Sequence, residues 1–244
     1  MKTVNNNLRL VAAALLAVVL GTYLQNAGGA EAAEVENISR INGRVEVSSD
    51  EHVGDISLVN GSISLARGAT AGVLETVNGS ITVDGNSEFY AAETVNGSIR
   101  IADRVRASGS VSTVNGSVTL GDDVEVDGSV TTVNGRIRAG GGSGIAGSVT
   151  TVNGQILLTN TTVNRDLATD NGDISLTNGT IVRGDVSIEG RKRWWNRLFS
   201  FGIGNDPELH IDSSSVVEGD IHLYRAVDLR IEAGARTGDI IEHF

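Results

Sequence analysis

The sequence predicts an all-β fold: a parallel β-helix solenoid wound from a single chain in coils of 18–19 residues. Three observations predict it. Asn-Gly recurs at Asn42, Asn60, Asn78, Asn96, Asn115, Asn134, Asn153 and Asn171, with spacings of 18, 18, 18, 19, 19, 19 and 18. The flanks repeat too, since T-V-N-G-S-I at residues 76–81 returns in near-copies beginning at Thr94, Thr113, Thr132 and Thr151. Within a unit, polar and apolar residues alternate, as in Arg44-Val45-Glu46-Val47 and Ser98-Ile99-Arg100-Ile101, the signature of a strand with one buried and one wet face.

A unit this short cannot hold a helix pair, which needs about 33 residues or more, but it suits three short strands and three turns. The third strand is clearest in Asp123-Val124-Glu125-Val126-Asp127 and in Arg104-Val105-Arg106, so a roughly triangular cross-section is expected. Asn-Gly between β-branched runs is also the signal of a tight antiparallel hairpin, the main rival. Near-equal unit lengths favour the solenoid, in which each residue stacks on its equivalent one coil away.

Stacked coils place equivalent Asn side chains about 4.8 Å apart, close enough for their amides to bond along the axis as a ladder. The following Gly is expected to supply the positive φ of the corner. The Asn-Gly-Ser copies match a glycosylation sequon but read as turns. Strict alternation turns Val77, Val95, Val114, Val133 and Val152 outward, and a bend before Asn is expected to tuck them in instead. Left outside, they form an apolar stripe suited to association.

Composition agrees with many short strands joined by turns. Gly is 31 of 244 residues, Pro occurs once, and aromatics are 4%, so the core is built from Val, Ile, Leu and Ala. The absence of Cys excludes disulfides, thiolate metal sites and Cys nucleophiles. The formal charge is −11, which argues against nucleic acid as a partner.

Residues 1–30 read as a secretory signal peptide. Lys2 and Arg9 precede an apolar run over residues 10–20, and small residues lead to cleavage near 30–32. The run is short of the roughly 20 residues of a membrane span. The chain is therefore expected to be exported, to the periplasm or the cell surface. Removing residues 1–30 takes away both cations and no acid, which leaves a charge of −13.

Regular repeats are expected over residues 35–189. A basic, Trp-rich insertion follows over 190–207, and the solenoid resumes at Glu208-Leu209-His210-Ile211 and runs to 244. The insertion holds both Trp residues in Arg191, Lys192, Arg193, Trp194, Trp195, Asn196, Arg197, Leu198 and Phe199. Such a loop reads as a contact for an envelope lipid, for a protein or glycan partner, or as a cover folded back on the rod.

No nucleotide loop, H-E-x-x-H or G-x-S-x-G motif is present. His52, His210, His222 and His243 show no ligand spacing, although His210 and His222 fall on strands expected to be adjacent. Asp122, Asp123, Glu125 and Asp127 read as a solvated strand rather than a Ca²⁺ site. No catalytic residue, metal or cofactor is assigned. Two further readings are a carbohydrate-active enzyme, which needs clustered carboxylates, and an ice- or surface-binding face built on Thr131, Thr132, Thr150 and Thr151.

The T-V-N-G-S-I repeat with its flanking G-S-V and G-D-I resembles the bacterial adhesin-like β-strand-repeat family over roughly residues 38–189. The tail, with E-L-H-I-D-S-S-S-V-V-E-G-D-I, is similar to the polymer-forming, bactofilin-like β-helix group. The resemblance implies a right-handed parallel β-helix that self-associates end to end as a homo-oligomer or filament. Bactofilins are typically cytoplasmic and lack a signal peptide, and this chain departs from them there.

Overall fold

Alternating residues become short strands that pair in parallel with the coil before and the coil after. The computed structural model describes residues 35–190 and 206–244. Every strand pair among these residues is parallel, which replaces the hairpin reading with a solenoid of about ten coils.

Each coil has three faces. On the first, strands such as Ile56–Asn60, Val111–Asn115 and Val149–Asn153 end in the repeated Asn. The second face follows at once with strands such as Ile63–Leu65, Ile81–Val83 and Ile99–Ile101. The third is narrow, with strands of two residues such as Arg106–Ala107, Glu125–Val126 and Gly144–Ile145. The second-face sheet holds ten strands among the described residues.

Register is kept without a slip. Ile81 pairs with Ile99, Ile99 with Val118, Val118 with Ile137, and Ile137 with Ile156. The interior is therefore made of columns of stacked Ile, Val and Leu side chains, and Ile63, Ile81, Ile99, Ile137 and Ile156 are fully buried. Burying such a side chain contributes about 1.5–3 kcal/mol. The core is aliphatic throughout, with Phe89 its one aromatic among the described residues.

The difference between 18 and 19 residues is confined to the corners. Two residues, Tyr90 and Ala91, join the third face to the first in the coil that pairs Phe89 with Ala107, and three residues, 108–110, join them in the next. The shorter corner lets the chain run through as one strand, Glu88–Asn96, and Thr70–Asn78 behaves alike. The unit shortens again at the second corner, where 159–161 do the work of 140–143.

Beyond Asn171 the coils continue across the insertion. Leu209 pairs with Ile174 and Ile221 with Val186, so the flanking strands meet as neighbours although 35 residues separate each pair. Asp185 Oδ1 accepts the Asp220 N–H across the same gap at 2.9 Å.

Candidate interaction surfaces

The eight Asn residues form a continuous ladder on the first corner. Each Nδ2 donates to the Oδ1 of the Asn one coil earlier, from Asn60 to Asn42 at 3.1 Å through to Asn171 to Asn153 at 3.4 Å. The five steps between are all 2.9 Å. Two residues beyond the Thr169–Ile188–Leu223 column, Gly190 and then Arg225 continue the Asn column. Arg225 reaches back over Gly190, and its Nη1 donates to Asn171 Oδ1 at 2.8 Å. A guanidinium thus closes the acceptor end of the ladder.

The corner glycines meet the expected positive φ only in part: Gly43, Gly61 and Gly172 adopt it, at 122°, 157° and 156°, whereas Gly79, Gly97, Gly116, Gly135 and Gly154 do not. At these five the glycine is required because the coils touch there: a Cβ on Gly79 would lie 1.8 Å from the Gly61 carbonyl oxygen, and one on Gly116 would lie 1.9 Å from that of Gly97. Left-handed residues mark the second corner, at Asp50, Gly68, Asn86, Arg104, Asp123 and Gly142 with φ between 54° and 76°.

The repeated Thr points inward and ties the same corner. Thr76, Thr94, Thr113, Thr132 and Thr151 donate Oγ1 to the glycine carbonyl of the preceding coil at 2.8–3.2 Å. Thr169 Oγ1 lacks that bond and is the one buried side-chain polar atom without a partner among the described residues.

With Thr inside, the valines stay outside. Val59, Val77, Val95, Val114, Val133 and Val152 stand half-buried on the outer side of the first face, and the bend that would tuck them in is absent. The strand keeps its alternation because the inward Thr has a carbonyl to bond. Beside the stripe runs a second outward column, which includes Ser57, Glu75, Glu93, Ser112, Thr131 and Thr150. Thr131 and Thr150 therefore face away from Thr132 and Thr151, and the four make no common row. Glu75 is 5% exposed and accepts from Ser57 Oγ at 3.3 Å. Burial, then the charge of Glu93, push its carboxyl above the ordinary value, and burial does the same to Glu93.

The remaining polar groups mostly serve the coil. Arg106 bridges Glu125 and Asp127, the latter at 2.6 Å, and Asp122 Oδ1 accepts the Gly141 N–H at 2.8 Å. His210 lies on the second face against Glu232 at 3.2 Å, whereas His222 lies on the first, 3.1 Å from His243. The two are on different faces, not adjacent strands. Among the described residues no three His, Asp or Glu side chains are arranged to hold a metal ion. The contact candidates Arg191, Lys192, Arg193, Trp194, Trp195, Arg197, Leu198 and Phe199 lie outside the described residues, as does the leader. Gly190, the last described residue before them, lies on the Asn corner.

The ends of the rod differ from its sides. Among the described residues, the first strand, Ile38–Asn42, and the last, Ile240–Glu242, each have a paired neighbour on one edge only. Five large apolar side chains are exposed among the described residues, and four belong to these ends: Val35, Ile41, Ile240 and Phe244. Tyr90 is the fifth. No family model matches this chain, and neither a curated protein nor a solved structure matches it at a significant level.

Proposed function

We propose that this chain is an exported, non-enzymatic structural rod that self-associates through the ends of its solenoid in the cell envelope. The observation that carries the reading is the position of the exposed apolar residues. Ile41 is 63% exposed, Ile240 43% and Phe244 67%, all beside strand edges whose N–H and C=O groups face outward. An unpaired edge flanked by apolar side chains is a template for another strand. Along the sides, outward positions other than Tyr90 are polar, small or half-buried, so the sides offer less. Export rests on the cationic and apolar leader of residues 1–30.

The test is light scattering and electron microscopy of the protein over a concentration series, with the N-terminus of the exported form read by mass spectrometry. Rods that lengthen with concentration support self-association. A species of constant monomeric mass overturns it and moves the question to the aromatic loop of residues 190–207.

A further inference from the structure

Resting on that reading, we infer that the partner at each end is a second copy of this chain joined head to tail, with Glu242 of one copy against Arg40 of the next. The argument comes from the stacked columns of the first face. One inward column starts at Ile38, passes through Ile56 and Leu74, and ends with Ile221 and Ile240. The neighbouring inward column starts at Arg40, passes through Leu58 and the buried threonines, and ends with Leu223 and Glu242.

This second column is uncharged at every position between its two ends, because an ion buried without a partner is costly. Its ends carry charges of opposite sign. Placing the Ile38–Asn42 edge one coil-step, about 4.8 Å, above the Ile240–Glu242 edge continues both columns across the joint. Ile240 then covers Ile38, and Glu242 meets Arg40 in a position shielded from water on one side. The outward neighbours, Ile41 and His243, also come into line.

Symmetric joints lack this match. Two N-terminal ends bring Arg40 against itself, and two C-terminal ends gather like carboxylates. Like charges across an interface disfavour the wrong pairing. The matched joint is heterologous and does not close, so repetition gives a polar filament rather than a dimer. The first face begins and ends the described coils, so its sheet is the one that runs through. The second and third faces are each left one strand short at the joint, the second between Val45–Val47 and Asp228–Ile231 and the third between His52 and Arg236.

Charge exchange tests the pairing. Both side chains are exposed at rod ends, so R40E and E242R should leave the circular dichroism spectrum and melting curve unchanged. Each single variant should raise the concentration needed for assembly about tenfold or more, because every joint then carries a like-charge pair. The R40E/E242R double variant should assemble as the parent does. An equimolar mixture of the two single variants should also assemble, as an alternating copolymer, which only a head-to-tail joint permits. Assembly of the parent that neither exchange weakens, or single variants that the double exchange and the mixture fail to rescue, would overturn the head-to-tail pairing while leaving self-association standing. A parent that stays monomeric overturns both.

Discussion

Replacing Gly116 by Ala should open the solenoid between two coils, whereas the same change at Gly144 should not. A Cβ on Gly116 would stand 1.9 Å from the Gly97 carbonyl oxygen, 2.5 Å from its carbon and 3.0 Å from the Ser98 nitrogen. Non-bonded carbon contacts are comfortable near 3.5–4.0 Å, so the coils must part by roughly 1.5 Å at this corner. The obstacle is backbone on both sides, and no rotamer change relieves it. Parting the coils loosens the bond from Thr113 Oγ1 to the Gly97 carbonyl at 2.8 Å and the bond from Asn115 Nδ2 to Asn96 at 2.9 Å. Each is worth about 0.5–1.5 kcal/mol, and overpacking adds about 1–3 kcal/mol, which together give a loss of about 2–6 kcal/mol. Gly144 has no atom within 4 Å of its virtual Cβ and no positive φ. Gly144→Ala should be neutral or gain about 0.4–1 kcal/mol by restricting the unfolded chain. Urea unfolding followed by far-ultraviolet circular dichroism compares the two variants with the parent. Midpoints that coincide for G116A and G144A would refute the claim that axial contact, not backbone conformation, dictates the corner glycine.

Two other variants read the corner and the outer face. Asn115→Ala removes two ladder bonds, to Asn96 and from Asn134, and should cost about 1–3 kcal/mol, while Asn42→Ala removes one and should cost about half as much; the same urea curves measure both, and equal losses would show that the amides do not act as a ladder. The raised Glu75 carboxyl means that, between its ordinary value of 4.5 and its native value, the folded chain binds more protons than the unfolded one, so stability falls as pH rises through that window. Glu75→Gln should therefore stabilise the protein at neutral pH, with a gain that shrinks towards zero below pH 4.5, as thermal melts across pH would record.

The periodic part of the fold is legible because each coil repeats one problem. Ile81, Ile99 and Ile137 share a column and a sequence context, so their alternation marks the inward side without knowledge of the partner. The Asn ladder is legible for the same reason: a fixed period in sequence becomes a fixed rise in space. The outward valine stripe is not legible in the sequence because the deciding contact is between coils. Thr113 turns inward to bond a carbonyl contributed by Gly97, a residue of the preceding coil. The role of the corner glycines was hidden in the same way, since φ is a local property and a clash with the coil below is not. The left-handed second corner did leave a trace, in Gly68, Asn86, Asp123 and Gly142, types that tolerate positive φ. Arg104 carries no such mark. Arg225 as the closing group could not be foreseen, because 54 residues and an insertion separate it from Asn171.

Confining every change of length to the corners has a consequence for how such a chain can grow. A unit copied in the gene would enter as one more coil, presenting to its neighbours the same edges they already accept. Units of 18 and 19 residues are interchangeable in this sense, since the paired columns stay in register across the difference. Even the long interruption between residues 190 and 206 leaves the neighbours paired, as Ile174 with Leu209 shows. The architecture thus separates two kinds of variation: duplication sets the length of the rod, and insertion at a corner adds chain without disturbing the paired columns, with neither having to wait for the other.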